Sequence, residues 1–131
     1  MGIHALTKEN GDYLNRKIIN KEEIKVKLIG EVKEMYNDEK YRSVLPDIKS
    51  IISEKEIADK KQVLSYLKSF PAVSSSPYIV KDIITGDKIN IPLEFYTDGV
   101  FGWRSDTVYY FEKYNLELGK DFINYVLAKK K

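Results

Sequence analysis

The sequence predicts an α+β fold with a helical N-terminal half, a three-stranded antiparallel meander and two C-terminal helices. In the first half of the chain, apolar residues recur every three or four positions, which is the period of an amphipathic helix. From Tyr78 the period changes to two, and β-branched and aromatic residues dominate, which is typical of strands. Because 131 residues are the size of one ordinary domain, we expect residues 1–131 to form a single α+β domain.

The helical half contains three predicted helices. The first spans residues 20–37, where a capping box is followed by apolar side chains at helical spacing. The second follows directly, and Pro46 interrupts it, which predicts either a kink or two short helices. The third is capped by Asp59 and stopped by Pro71. The segment 72–77 that follows has the serine and proline content of a turn.

Turn and cap signals mark the meander and the C-terminal helices. The predicted strands cover residues 78–84, 89–96 and 100–104. Asp98 and the glycine after it suit the turn between the last two strands, and Pro92 places the middle strand at an edge or a bulge. Ser105 can cap the next helix and Asn115 can end it. A last helix is predicted to begin near Lys120.

Composition and charge restrict the partners. The chain has no cysteine, which excludes disulfides and thiolate metal sites. Its 22 basic and 20 acidic residues include three terminal lysines at 129–131, without which the balance is 19 to 20. A nucleic-acid partner is therefore not expected, because such proteins carry their basic excess as a patch on a folded face. We recognise no signal pattern and no membrane span, so we expect a cytoplasmic protein without a membrane partner.

The sequence contains no recognisable catalytic, cofactor or metal motif. His4 is the only histidine, and no motif surrounds it. Two of the carboxylates Asp82, Asp87, Glu94 and Asp98 could approach across strands as acid and base, but that chemistry needs a deep pocket and a raised pKa in one carboxyl group. A carboxylate enzyme is thus one alternative. We expect no catalytic residue, cofactor, metal ion or small-molecule ligand.

Aromatic residues concentrate between Tyr96 and Tyr114, beside an arginine. The candidates for recognition are Trp103, Arg104, Tyr109, Tyr110 and Tyr114. Tryptophan, tyrosine and arginine are enriched at interface hot spots because they bury a large area and carry a polar tip. The other interpretation is core packing, with Arg104 paired to Asp106 near the start of a helix. Arg104 and Tyr109 fit either role, whereas the remaining three are expected in the core.

Residues 91–126, IPLEFYTDGVFGWRSDTVYYFEKYNLELGKDFINYV, resemble small bacterial proteins of polymorphic-toxin loci. These include immunity proteins of contact-dependent growth inhibition systems. The shared pattern comprises the run Tyr96–Gly99 and Trp103, Ser105, Asp106, Tyr109, Tyr110, Lys113, Tyr114, Leu118, Phe122 and Ile123. Gly119 stands where that pattern has proline. The resemblance implies a cytosolic protein that binds a cognate toxin domain, often a nuclease, and neutralises it without catalysis.

A toxin-binding role leads to an expected contact set. It consists of Asp82, Glu94, Asp98, Trp103, Arg104, Asp106 and Tyr109. An exposed acidic face is also possible, formed by Asp47, Glu54, Glu56, Asp82 and Glu94. Because the chain is nearly neutral, binding at an exosite fits better than mimicry of nucleic acid. The competing class is a small nucleic-acid-associated or regulatory domain that uses the lysine tail and aromatic stacking.

Overall fold

The computed structural model describes residues 26–129, which form a mixed α/β structure. In chain order the elements are β1 (Lys27–Leu28), α1 (Glu39–Arg42), α2 (Lys60–Leu67), β2 (Ser74–Lys81), β3 (Lys88–Thr97), β4 (Phe101–Arg104), α3 (Ser105–Tyr114) and α4 (Lys120–Ala128). Single 3₁₀ turns at Lys33–Met35 and Ile48–Ser50 flank α1. No helix within these residues is long and apolar enough to cross a membrane.

The described sheet has four strands in the order β1-β4-β3-β2. Strands β2, β3 and β4 are antiparallel neighbours, as a meander requires, but β1 joins β4 as a parallel strand. The mixture of helices and strands was predicted, whereas the three-stranded layout and the helical N-terminal half were wrong. A parallel pairing between distant segments leaves no local sequence signal, which is why the fourth strand was missed.

The helix predicted over residues 20–37 is wrong for its described part. The amides of Lys27 and Ile29 donate to the carbonyls of Val100 and Gly102, both at 3.0 Å, so the backbone is extended here. Buried residues nevertheless keep a spacing of three or four: Val26, Ile29, Val32 and Tyr36. Of the apolar positions on the predicted helix face, Ile29, Val32 and Tyr36 are buried, whereas Leu28 and Met35 are only partly buried. The apolar pattern therefore found part of the core but assigned it the wrong backbone. Residues 20–25 of this prediction lie outside the described residues.

The next two helical predictions hold in outline. The segment whose apolar pattern is interrupted at Pro46 forms two short helical pieces, α1 and the 3₁₀ turn Ile48–Ser50. The Pro46 carbonyl accepts a hydrogen bond from the amide of Lys33 at 2.9 Å, which ties the interruption to the 3₁₀ turn before α1. Helix α2 begins after Asp59 as expected, but the Asp59 side chain makes no capping hydrogen bond.

Strand β2 begins earlier than predicted. Residues 74–76 were expected in a turn, yet all three pair with β3, opposite Phe95, Glu94 and Leu93. The long partner strand β3 overrides the weak strand preference of serine. After Ser76 the register shifts, so that Pro77 and Tyr78 form a bulge before pairing resumes at Ile79.

The C-terminal half follows the local signals closely. Asp98 is a turn residue, because its Oδ1 accepts hydrogen bonds from the amides of Val100 and Phe101 at 2.9 and 2.7 Å. Asn115 ends α3 in the left-handed region at φ 57°. Ser105 does not cap α3; instead its hydroxyl donates to the Pro92 carbonyl at 2.8 Å. The helix is thereby fixed to β3 by its first residue.

The main core lies between the sheet and helices α2, α3 and α4. Its buried members are Ile29, Val32, Ile48, Val63, Leu67, Phe101, Trp103, Tyr110, Phe111, Leu116, Leu118, Phe122 and Val126. A smaller cluster of Tyr36, Tyr41 and Phe95 forms a second packed region. Because neighbouring side chains of a strand point to opposite faces of the sheet, Phe95 belongs to the smaller cluster and the adjacent Tyr96 packs against the main core.

Candidate functional site

Four of the seven expected contact residues are buried. Trp103 and Asp82 are each 1% exposed, Asp106 is 3% and Arg104 is 7% exposed. Glu94, Asp98 and Tyr109 are partly exposed. The aromatic and charged concentration between Tyr96 and Tyr114 is therefore mainly part of the interior.

Trp103 is packed in the centre of the core. Its indole N–H donates to the Leu67 carbonyl at 3.3 Å, at the end of α2. The rings of Phe70 and Phe122 both lie 5.8 Å from it, centroid to centroid, in edge-to-face or tilted arrangements. The side chain therefore joins the sheet to helices α2 and α4.

Arg104 and Asp106 form a buried, two-pronged ion pair. Nε and Nη2 of Arg104 donate to the two carboxylate oxygens of Asp106, each at 2.9 Å. The guanidinium lies 5.4 Å from the centre of the Tyr36 ring and 6.0 Å from that of Phe95. Burial acts to lower the pKa of Arg104, but the charge of Asp106 outweighs it and the pKa is raised. The pair fixes the junction between β4 and α3.

Asp82 is the first residue of the β2–β3 loop, and its buried carboxylate accepts hydrogen bonds from four groups. The hydroxyls of Tyr109 and Tyr114 donate to its Oδ2 at 2.6 and 2.7 Å. The amides of Ile84 and Thr85 donate to its Oδ1 at 2.8 and 3.0 Å. Burial acts to raise the pKa of Asp82, but these hydrogen bonds lower it below its ordinary value.

The tyrosines of α3 hold the same loop through their hydroxyl groups. Tyr110 donates to the Lys81 carbonyl at 2.9 Å and accepts from the Ile83 amide at 2.9 Å. Burial, together with the Asp82 carboxylate, raises the pKa of Tyr109 to about 12, and the same causes raise that of Tyr114 to about 12. Both phenols therefore remain protonated donors at neutral pH.

Three of the four carboxylates considered for acid–base chemistry, Asp82, Glu94 and Asp98, have tyrosine partners. In addition to the two on Asp82, the hydroxyl of Tyr96 donates to Glu94 and that of Tyr66 to Asp98, both at 2.6 Å. These three carboxylates are therefore hydrogen-bonded to different tyrosines. Because Asp82 is buried, it cannot belong to the exposed acidic face that the sequence predicted.

Two cavities of about 420 and 500 Å³ lie elsewhere, and both border residues 117–120. Neither is lined by Asp82, Glu94 or Asp98. Among the described residues, no group of three histidine, cysteine, aspartate or glutamate side chains could hold a metal ion. The cavities therefore do not bring the candidate carboxylates together.

The exposed apolar residues of the hairpin end gather on strand β2. Tyr78 is 57% exposed on the bulge, and Ile79 is 42% exposed beside it. Ile79 pairs with Pro92, which is also exposed, and Lys81 pairs directly with exposed Lys88. We call these five residues the edge surface, because β2 is the last strand at this side of the described sheet.

The edge surface was missed by the sequence analysis. Tyr78 and Ile79 were assigned to a strand, and nothing in their spacing indicates that the strand lies at the edge. Pro77 is the signal that could have found it, since proline within a strand pattern favours an edge or a bulge. Comparison of the chain with protein-family models, curated proteins and solved structures finds no significant match.

Proposed function

We propose that this protein is a cytosolic immunity protein that binds a cognate bacterial toxin domain and neutralises it by occupying its surface. The observation that carries the proposal is the edge surface, where Tyr78 and Ile79 are exposed on a hydrogen-bonded sheet. Aromatic and β-branched side chains have few rotamers to lose on binding, which suits an inhibitor's contact surface. Binding requires no catalytic group.

The resemblance to immunity proteins supports a shared scaffold. Trp103 and Tyr110 are 1% and 0% exposed, and Asp106 and Ser105 connect α3 to β4 and β3. Buried residues of this kind hold the elements together and are not available to contact a partner. The resemblance therefore concerns the scaffold, and we assign the toxin contact to the edge surface.

The arrangement of the carboxylates favours a binding protein over an enzyme. Asp82, Glu94 and Asp98 are each engaged by tyrosine hydroxyls, and neither of the two cavities is lined by them. A general acid in a glycosidase needs a cleft and a raised pKa, whereas the pKa of Asp82 is lowered. Within the described part of the chain, neither cavity offers the cleft that the carboxylate-enzyme alternative requires.

Co-expression with the protein encoded immediately upstream in the native locus tests the proposed function. We expect the upstream protein to stop growth when expressed alone, growth to recover when this chain is present, and the two to co-purify at a fixed stoichiometry. An unrelated immunity protein, expressed at the same level, is the control for non-specific protection.

Two results would contradict the proposal. One is an upstream protein that is harmless and forms no complex. The other is binding to nucleic acid that falls steeply with salt and disappears when residues 129–131 are deleted, because this would favour the nucleic-acid-associated class.

A further inference from the structure

We infer that the partner contacts the edge surface with an acidic patch that also offers an apolar recess. The inference rests on the proposed function and specifies the chemistry of the toxin's contact surface. The edge surface places two exposed lysines beside an exposed tyrosine, isoleucine and proline. A partner that fits it supplies carboxylates and apolar area together.

The charges around the hairpin end favour an acidic partner. Lys81 is paired with Lys88 after a second register shift, between Val80 and Lys81. Like charges in such a cross-strand pair destabilise a sheet. Neither lysine forms an ion pair with another residue in the described part of the chain. Asp82 is buried, which leaves Asp87 as the exposed carboxylate of the connecting loop. A partner carboxylate between the lysines would relieve their repulsion.

The apolar part of the edge surface favours a protein over a nucleic acid. Tyr78 lies on the bulge, where it is separated from the regular ladder, and Ile79 faces Pro92 across the strands. Single-stranded nucleic acid is bound by successive aromatic side chains on which bases stack. One tyrosine beside aliphatic side chains fits an apolar recess of a protein better.

The partner is expected to bind through side chains and not by adding a strand. Pro77 has no amide donor, and the register shift between Ser76 and Ile79 interrupts the edge of β2. Such interruptions block continuous pairing with another strand. The side chains at the bulge and at the lysine pair remain available for contact.

The sign of the charge also decides where a nuclease toxin would be contacted. A phosphate-binding cleft is lined by basic residues, which the two lysines would repel. An acidic patch must therefore lie outside such a cleft. The edge surface accordingly fits an exosite, and the toxin would be inhibited without direct occupation of its phosphate-binding residues.

Charge reversal provides the test. We would measure the dissociation constant of the complex with the upstream toxin domain for the wild type, for K81E/K88E and for the control K49E/K61E. The control has the same net charge, and its lysines are exposed in the 3₁₀ turn Ile48–Ser50 and on α2. We expect K81E/K88E to raise the dissociation constant by about tenfold or more, and the control by less than about twofold.

The melting temperature shows whether the change acts through folding. K81E/K88E keeps a like-charged pair across the strands but places it beside Asp82 and Asp87, so its melting temperature should fall slightly below that of the wild type. The dissociation constants are therefore measured well below both melting temperatures, where each variant is folded. As a further arm, replacing acidic residues of the toxin's contact patch by lysine should restore binding to K81E/K88E. That recovery would assign the contact to opposite charges.

Three results would overturn the inference, and they differ in what they leave standing. Equal dissociation constants for both double variants, with growth protection intact, would show that the edge surface is not the contact surface. The proposed function would still stand. A single-stranded oligonucleotide that binds the free wild-type chain and not K81E/K88E would assign the lysines to nucleic acid. A wild-type chain that neither protects growth nor forms a complex would remove the inference together with the proposed function.

Discussion

At the scale of single residues, tyrosine hydroxyls determine what the carboxylates can do. Asp82, Glu94 and Asp98 each accept a short hydrogen bond from a tyrosine, and Glu31 accepts one from Tyr36. A phenol stabilises a buried carboxylate without bringing a second charge into the interior. Six tyrosines in the described part of the chain therefore serve the fold as hydrogen-bond donors as well as apolar side chains: Tyr36, Tyr66, Tyr96, Tyr109, Tyr110 and Tyr114.

Trp103→Ala should be among the most damaging single substitutions. The side chain is 1% exposed and contacts aromatic rings of α4 and of the segment after α2. Its loss leaves a large cavity and an unpaired Leu67 carbonyl. We expect unfolding in urea, followed by circular dichroism, to show a loss of about 3 to 5 kcal/mol. Unchanged stability with lost toxin binding would instead identify Trp103 as a contact residue.

Tyr109→Phe should weaken the β2–β3 loop in a pH-dependent way. The variant removes one hydrogen bond to the Asp82 carboxylate, which should cost about 1 to 3 kcal/mol at neutral pH. Because the folded-state pKa of Asp82 is lowered, its ionised carboxylate contributes to the stability of the fold. That contribution is fully present above the unfolded-state pKa of about 3.9 and is lost as the pH falls through the folded-state pKa. The difference from the wild type should therefore shrink in acid.

Urea denaturation over a series of pH values checks this behaviour. Tyr78→Phe is the matched control, since the Tyr78 ring is 57% exposed and its hydroxyl should contribute little. A stability difference for Tyr109→Phe that is equal at every pH would show that the ionised form of Asp82 is not what the hydroxyl stabilises.

At the scale of elements, α3 organises its neighbours through both of its ends. Ser105 connects its start to β3, and the Arg104–Asp106 pair fixes its junction with β4. Further along, Tyr109 and Tyr114 reach the loop between β2 and β3. The loop that joins the two strands of the edge surface is thus held by a helix.

The segment between β1 and the first 3₁₀ turn depends on a glycine. Gly30 has a φ of +67°, and a Cβ there would collide with the Thr107 side chain and lie 3.2 and 3.3 Å from Leu118 and Leu116. Gly30→Ala should therefore combine backbone strain with overpacking against α3 and the segment that follows it, at a cost of about 2 to 4 kcal/mol in the free energy of unfolding.

Gly86→Ala separates these two causes. Gly86 has a similar φ of +84°, but nothing lies within 4 Å of the added Cβ. This variant should lose about 1 to 2 kcal/mol, from backbone strain alone. Equal losses for the two alanine variants in urea denaturation would show that the segment at Gly30 moves away from α3 at no cost.

At the scale of the whole molecule, the parallel pairing of β1 with β4 joins the described start of the chain to its C-terminal half. Lys27 and Leu28 are opposite Phe101 and Gly102, so the contact spans most of the described sequence. The sheet then separates the main core from the smaller cluster that contains Phe95. Neither half of the chain completes the sheet without the other.

The sequence by itself determined the elements that depend on neighbouring residues. The turn at Asp98, the left-handed stop at Asn115 and the last helix all follow from short-range hydrogen bonding and φ preferences. The apolar spacing of residues 26–36 also identified core positions.

Only the tertiary structure decided features that depend on distant partners. The extended backbone at Lys27 is stabilised by β4, and the pairing of Ser74 by β3. Asp82 became buried because two tyrosines of α3 donate to it, and Tyr78 became exposed because β2 lies at an edge. Strand pairing and burial are set by residues far apart in sequence, so local periodicity identified part of the core but not the backbone or the contact surface.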